Sequence, residues 1–243
     1  MPYACIAAGA ANTIGLLTAG KNAGMWQNSA WVKTMLELNR FYNMDCIQGM
    51  AQMPDKFFSL AIVDPPYGIE KGLNATSRIA EYGKMKTVND LKPDKSYFDE
   101  LFRVSQNQII WGYNHLSDML PKTKEFVFWY KHQPVSTYSD GELAWTSFRK
   151  TAKCFDYPFF GTVNAEENRM HPTQKPVALY RWLLKNYTQP GDIILDTHVG
   201  SASSLIACHE MGFDYMGFEL NEEYYRLASE RLEAFKAQQS LFT

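Results

Sequence analysis

Short apolar runs alternate with helically spaced apolar positions along this chain, an order typical of α/β proteins. Four apolar runs predict strands that are buried on both faces: residues 58–63, 108–111, 192–195 and 215–218. Apolar positions three and four residues apart predict a helix over about 224–235, and another is predicted over 177–187. Residues 44–46 predict a short extended segment, and residues 125–130 and 141–147 predict an antiparallel pair.

The loop after the strand 58–63 carries the most informative residues of the chain, Asp64-Pro65-Pro66-Tyr67-Gly68. Ligands of open α/β sheets bind at the carboxyl ends of the strands. An exocyclic amino group of a nucleobase is a weak nucleophile, and it becomes competent when acceptors hold its two hydrogens. The Asp64 carboxylate and the Pro65 carbonyl suit that role. Pro66 stiffens the turn, and Tyr67 suits stacking on a base that has left the helix.

A second segment has the order strand, glycine-bearing loop, helix, strand and acid that is typical of a nucleotide-binding βαβ unit. The loop covers residues 196–204, and Glu219 ends the second strand. Gly200 lets backbone approach a ligand, and Glu219 is spaced to accept both hydroxyls of a ribose. One glycine and one acid are equally consistent with an ordinary helix cap.

A third segment, His-Pro-Thr-Gln-Lys-Pro at residues 171–176, leads into the predicted helix 177–187. Pro176 suits the first helical position. Thr173 and Lys175 suit a carboxylate held at the helix start. Taken alone, this stretch is better interpreted as the start of a capped surface helix.

Together these segments resemble the amino-directed DNA methyltransferases of the β group, in which the catalytic motif precedes the donor-binding motif. The resemblance implies S-adenosylmethionine as cofactor and a Rossmann-like methyltransferase fold, an α/β fold with a seven-stranded mixed sheet, an antiparallel hairpin and helices on both faces. It implies that Asp64, Pro65, Pro66 and Tyr67 are catalytic. The donor site that it implies contains Asp45, Cys46, Thr173, Lys175, Asp196, His198, Gly200, Ser201 and Glu219. A plain loop acid explains Asp45 nearly as well.

The donor loop departs from the family pattern at two points. The family usually has Pro-Phe where this chain has Thr197-His198, and Gly-Ser-Gly where this chain has Gly200-Ser201-Ala202. His198 is interpreted as a loop variant and not as a metal ligand. The methyl group of Ala202 is expected to weaken donor binding if backbone passes close to it.

Composition and charge narrow the interpretation. The 243 residues have a formal net charge of −2, but segments 70–95 and 121–153 are basic and segment 210–235 is acidic. This asymmetry favours a DNA-facing side, with a mixed solvated surface as the alternative. The four cysteines form no metal motif and suggest no disulfide, which indicates a reducing cytoplasm. No apolar run is long enough to predict a membrane span.

The leading hypothesis is a DNA methyltransferase that flips a base of double-stranded DNA and methylates N6 of adenine directly. An Asp in the first catalytic position is commoner in adenine enzymes of the family, but N4 of cytosine stays open. So does a catalytically dead DNA-binding homologue, whereas the motif order disfavours an RNA or protein methyltransferase. A homodimer and a restriction endonuclease partner are left open.

The chain is interpreted as one methyltransferase domain over 39–243, preceded by an N-terminal extension over 1–38 for which disorder is one interpretation. The extension begins with about twenty small and apolar residues that precede the family resemblance and lack a basic stretch typical of a secretion signal. Segments 69–95 and 131–170 are candidates for target recognition by elimination, because a chain of this size leaves little room for a separate recognition domain.

Overall fold

A computed structural model of the protein describes residues 36–68, 91–134, 139–159, 170–171 and 173–240. The described strands are β1 (Arg40–Asn43), β2 (Phe58–Val63), β3 (Ser105–Trp111), β4 (Phe126–Tyr130), β5 (Gly141–Thr146), β6 (Lys153–Asp156), β7 (Ile193–Asp196) and β8 (Asp214–Glu219). The described helices are α1 (Cys46–Met50), α2 (Lys95–Val104), α3 (Tyr113–Leu116), α4 (Val177–Tyr187), α5 (Ser203–Glu210) and α6 (Glu222–Ser240).

The strands form one mixed sheet in the order β1-β8-β7-β2-β3-β5-β4-β6. Strand β2 pairs in parallel with both β7 and β3, and β7 continues in parallel to β8 and β1. Strand β5 runs antiparallel to β3 and to β4. The parallel strands therefore bring their carboxyl ends, and the loops that follow them, to one edge of the sheet.

Alternating side chains of β2 divide the core into two layers. Leu60 and Ile62 belong to the buried cluster that includes residues of α4, α5 and α6. Ala61 and Val63 belong to the cluster that includes residues of α1, α2 and α3. This explains why β2 is apolar at successive positions, since a strand covered by helices on both faces has no solvent side.

The predicted fold class is confirmed, with one correction to the strand count. The sheet is mixed, contains the predicted antiparallel β4–β5 pair and has helices on both faces. It has eight described strands where the family resemblance implied seven. Neither edge strand was predicted, because β1 and β6 are four residues long and carry little of the apolar pattern that predicts a strand.

Two local predictions need correction. The extended segment predicted at 44–46 is wrong, because β1 ends at Asn43 and Cys46 already begins α1. Asp45 lies between them as an N-cap, and its side chain accepts hydrogen bonds from the backbone N–H groups of Ile47 and Gln48. Pro176 is the N-cap of α4 and lies one position before the first helical residue.

Parts of the domain prediction lie outside the described residues. These parts are residues 1–35 of the extension and segments 69–90, 135–138 and 160–169 of the candidate recognition regions. The division into an extension and a single domain therefore stays a prediction. Within the described part of the chain, no helix is long and apolar enough to cross a membrane.

Candidate active site

Asp64 directly follows β2 at the carboxyl edge of the sheet, and both of its carboxylate oxygens are engaged. The Tyr67 hydroxyl donates a hydrogen bond to Oδ1, and Lys175 Nζ donates one to Oδ2 over 2.5 Å. The Asp64 side chain is 16% exposed, and Pro65 beside it is buried. The carboxylate is therefore fixed in one orientation while part of it still faces solvent.

Lys175 lies 3% exposed between two carboxylates that come from different strand ends. Its Nζ is 2.9 Å from Oε2 of Glu142 on β5, and Lys131 pairs with the other oxygen of Glu142. We call Asp64, Lys175, Glu142 and Lys131 the charge network. It contains two cations and two anions, so the charge of buried Lys175 and those of its partly exposed partners compensate one another.

The charge network shifts the pKa values of Lys175 and Glu142. Burial alone would lower the pKa of Lys175, but Asp64 and Glu142 raise it above its ordinary value. Burial alone would raise the pKa of Glu142, but Lys175 and Lys131 hold it well below its usual range. Lys175 therefore stays protonated and Glu142 stays ionised at neutral pH.

Lys175 makes a contact that its motif did not suggest. The resemblance implied a contact with the donor, whereas its ammonium group meets the carboxylate of the predicted catalytic acid. Thr173, predicted for the same task, has its hydroxyl 3.1 Å from Nδ1 of His171. Contacts of Thr173 and Lys175 with a donor stay predictions.

Tyr67 packs against residues that sequence reasoning missed. Its ring stacks on the imidazole of His115 in α3, with centroids 5.2 Å apart and planes at 15°. A Cβ atom on Gly112 would lie 2.1 Å from the Tyr67 ring, and Gly112 has a φ of +79°. Only glycine satisfies both requirements at this position. Burial, followed by the Asp64 and Glu142 charges, raises the pKa of Tyr67, so its hydroxyl remains a donor.

The loop 196–204 is shaped by two carboxylates that accept backbone N–H groups. Oε2 of Glu219 accepts from Gly200 N over 3.0 Å, and Oε1 accepts from Asn221 N over 2.9 Å. Buried Asp196 accepts from His198 N over 3.0 Å and from the Ser204 hydroxyl. Burial raises the pKa of Glu219 and raises that of Asp196 to about 7.

The backbone conformation at position 202 explains why the family usually has glycine where this chain has alanine. Ala202 is the N-cap of α5 with a φ of +63°, a left-handed conformation that costs a residue with a Cβ about 1–2 kcal/mol. The alanine methyl group is fully buried. Ser201 before it is buried too, with its hydroxyl 3.1 Å from that of Ser203 and its carbonyl accepting from Arg231.

Asp45, Cys46 and His198 lie on the layer that contains α1 and α2. Asp45 caps α1, and burial followed by the Asp45 charge raises the pKa of the Cys46 thiol to about 12. His198 Nδ1 is 2.9 Å from the Thr197 hydroxyl, which is 2.7 Å from the hydroxyl of Tyr97 in α2. The structure therefore brings the two halves of the predicted donor site, 45–46 after β1 and 196–204 after β7, to the same edge of the sheet.

Residues of this region that carried no site prediction include Tyr97, Gly112, His115, Lys131, Glu142 and His171. His171 is the one with a local signal, since it opens the motif 171–176. Its ring lies 3.6 Å from the place where a Cβ on Gly200 would be, and it meets Tyr224 edge-on. Burial, followed by the Lys175 charge, lowers the pKa of His171 to about 4. Among the described residues, no group of His, Cys, Asp and Glu is arranged to hold a metal.

Comparisons with known proteins identify the family to which the chain is similar. The N6_N4_Mtase family, described as DNA methylase, matches residues 95–230. YubD of Escherichia coli (strain K12) is 26% identical over 220 residues, which are 81% of this chain and 91% of YubD. The type II methyltransferase M.HpaI of Haemophilus parainfluenzae is 24% identical over 78% of this chain and 73% of its own.

Two solved structures share the fold. The M1.HpyAVI–SAM complex has a TM-score of 0.50 and 24% sequence identity, and the match covers 79% of this chain and 98% of that one. The cytosine-N4-specific PvuII DNA methyltransferase has a TM-score of 0.55 and 13% identity, over 80% and 90% of the two chains.

Proposed function

The chain belongs to the N6_N4_Mtase family of DNA methylases, and from this premise we propose that it transfers a methyl group from S-adenosylmethionine to N6 of adenine in double-stranded DNA. The observation that carries the proposal is the fixed Asp64 carboxylate at the end of β2. Tyr67 and Lys175 each hold one of its oxygens, so an amino group that enters beside it meets an acceptor in a set orientation.

The residues at the ends of β7 and β8 fit a methyl donor of this kind. Each Glu219 oxygen accepts one backbone N–H and keeps lone pairs for the hydroxyls of a ribose. Gly200 presents backbone without a side chain, and the charge of Asp45, the N-cap of α1, acts on His198 in the same loop. S-adenosylmethionine is also named in the M1.HpyAVI–SAM complex. Bound there, it supplies an electrophilic methyl group on a sulfonium.

The reaction in this site is a direct displacement at the methyl carbon. The amino nitrogen forms the new N–C bond with its lone pair, the C–S bond breaks, and S-adenosylhomocysteine leaves with the electron pair. One amino proton must leave the product. Asp64 holds the amino hydrogens during transfer, and the Pro65 carbonyl offers the second acceptor. The released proton passes to solvent, which the partly exposed Asp64 side chain meets.

We choose adenine over cytosine as the proposed target because position 64 is Asp, which is commoner in the adenine enzymes of the family. The alternative is N4 of cytosine, the atom named for the PvuII enzyme, whose likeness to this chain concerns the fold. A catalytically dead homologue is a further alternative, motivated by Thr197, His198 and Ala202.

Nucleoside mass spectrometry of host DNA tests the target directly. The chain is expressed in a bacterial host that lacks its own DNA methylation, beside an Asp64→Asn control that reports background. N6-methyladenine in the wild-type sample alone supports the proposal. N4-methylcytosine overturns the choice of adenine, and the absence of both bases from DNA of cells that contain folded protein overturns the activity. Cytoplasmic location, a homodimer and a restriction endonuclease partner remain open predictions.

A further inference from the structure

The Thr197-His198 pair, where the family resemblance has Pro-Phe, forms a hydrogen-bonded chain with α2. The Tyr97 and Thr197 hydroxyl oxygens are 2.7 Å apart, and Thr197 Oγ1 is 2.9 Å from His198 Nδ1. Tyr97 is 4% exposed and Thr197 is 2% exposed. The Tyr97 and His198 rings also meet edge-on, with centroids 5.4 Å apart, which fixes the plane of the imidazole.

Burial determines the direction of the protons along this chain. If His198 Nδ1 carried a proton, Nδ1 and the hydroxyls of Thr197 and Tyr97 would be three donors that share two contacts. Either the Thr197 or the Tyr97 hydroxyl proton would then be buried without an acceptor in the described part of the chain. A buried unpaired donor costs about 1–3 kcal/mol. The satisfied arrangement has Tyr97 donating to Thr197 and Thr197 donating to Nδ1.

This arrangement leaves the imidazole proton on Nε2. Burial lowers the pKa of His198 to about 4, so the ring is neutral at physiological pH and carries one proton. Within the described residues, Nε2 has no hydrogen-bond partner, whereas Nδ1 has Thr197. His198 thus presents one N–H donor of fixed position from the loop between Asp196 and Gly200.

We propose that His198 Nε2–H donates a hydrogen bond to a ring nitrogen of the adenine of the methyl donor, with Tyr97 and Thr197 as positioning residues that fix its tautomer. The inference rests on the proposed function, because it requires S-adenosylmethionine at this loop. The Asp45 carboxylate is close enough to act on the charge of His198, so an anionic carboxylate is a poor occupant there. Glu219 serves the ribose hydroxyls in the proposed site. The neutral acceptors that remain are the purine nitrogens.

Calorimetric binding of S-adenosylhomocysteine and of its 1-deaza, 3-deaza and 7-deaza analogues tests the contact. The wild-type chain is expected to bind one analogue about 3- to 10-fold more weakly than the parent compound, the value of one neutral hydrogen bond. In His198→Phe, which keeps an aromatic ring, this difference is expected to disappear. If the ratios for all three analogues are the same in both proteins, the contact is refuted. If S-adenosylhomocysteine fails to bind the folded wild-type chain, the proposed function itself fails.

Nitrogen-15 NMR of histidine-labelled protein at pH 7 tests the positioning role separately. The His198 signals are identified by their loss in His198→Phe. The wild type is expected to show protonated Nε2 and unprotonated Nδ1. The double variant Tyr97→Phe/Thr197→Val removes both hydroxyls without leaving either unpaired, and is expected to show a mixture of tautomers. A protonated Nδ1 in the wild type, or an unchanged tautomer in the double variant, overturns the positioning role.

Discussion

Around Asp64 the charged side chains form ion pairs with one another, whereas around Gly200 the polar side chains form hydrogen bonds with backbone groups and with neutral side chains. The acceptor side is the region around Asp64, where we propose that the base binds, and Lys175 joins Asp64 to Glu142 there. The donor side is the loop 196–204 with Glu219, where we propose that the methyl donor binds. There Glu219 accepts N–H groups from the backbone at Gly200 and Asn221. The two regions lie at neighbouring strand ends of one sheet, yet they keep their shape by different forces.

This difference predicts how each region responds when one of its side chains is removed. Removal of one member of a buried ion network leaves an opposite charge without compensation, which destabilises the fold. Removal of a carboxylate that accepts backbone N–H groups loosens a loop and weakens ligand binding, with a smaller effect on the whole domain. Substitutions on the acceptor side should therefore mainly lower the stability of the fold, and substitutions on the donor side should mainly weaken binding of the methyl donor.

Lys175→Met is expected to have the largest effect on stability. It leaves the partly exposed carboxylates of Asp64 and Glu142 without their shared cation, so the free energy of unfolding should fall by up to about 3–5 kcal/mol, the cost of breaking a fully buried pair. Urea denaturation followed by circular dichroism measures it. Lys131→Met is the matched control and should cost less, because Glu142 keeps Lys175. Equal losses in the two variants would contradict the central place of Lys175.

The charge network also shows which kind of contact could not be predicted from the sequence. Residues 58–63 and 177–187 were predicted with the bounds of β2 and α4, because each is a continuous apolar or amphipathic segment with clear ends. Glu142 had no such signal. It is a single acid on a strand far along the chain from Lys175, and the pairing of β5 with β3 and β4 brings it to the site.

The donor loop was predictable in outline for a different reason. Its glycine, its acids and its order relative to the strands are local features, whereas the bond from Gly200 N to Glu219 became visible only in the structure. Tyr97 was not predictable, because its contact with Thr197 depends on how α2 packs on the sheet. The conformational reason for glycine at position 202 also required the backbone angles.

A pH series on Asp196→Asn tests the donor side through stability. The unfolded carboxyl loses its proton near pH 4, whereas the folded one keeps it to about pH 7. The stabilisation from Asp196 is therefore complete below pH 4 and is lost as pH rises to 7, by about 2–4 kcal/mol.

The quantity to measure is the difference in unfolding free energy between wild type and Asp196→Asn from pH 4 to 7. His171 and His198, whose pKa values burial lowers to about 4, have the opposite slope but are present in both proteins. The unfolding free energy of the wild type minus that of Asp196→Asn should fall with increasing pH. Parallel curves would show that Asp196 titrates alike in the folded and unfolded states.

Glu219→Gln is expected to weaken binding of S-adenosylhomocysteine by about 1–3 kcal/mol, since it removes a charged acceptor for ribose hydroxyls. Isothermal titration calorimetry measures the change. Glu222→Gln, on the exposed first turn of α6, is the matched control and should bind like wild type. An unchanged affinity in Glu219→Gln would remove the ribose role.

Ala202→Gly is expected to have the smallest effect. Relief of the left-handed conformation gains about 1–2 kcal/mol, and loss of the buried methyl group costs about 0.8 kcal/mol. The variant should therefore be up to about 1 kcal/mol more stable by urea denaturation, with donor affinity unchanged or slightly improved. A large loss of affinity would show that the methyl group makes a contact that the donor needs.

The separation of the two regions is tested most directly by the dissociation constant of S-adenosylhomocysteine for Asp64→Asn, determined beside its methyl-transfer rate. In the described structure Asp64 has hydrogen bonds to Tyr67 and Lys175 and none to the loop 196–204, although its charge helps to raise the pKa of Asp196. We predict a transfer rate about 10²–10³-fold below wild type with a dissociation constant within about twofold of it. Donor binding weakened as much as in Glu219→Gln, or transfer close to the wild-type rate, would contradict the assignment of Asp64 to the acceptor.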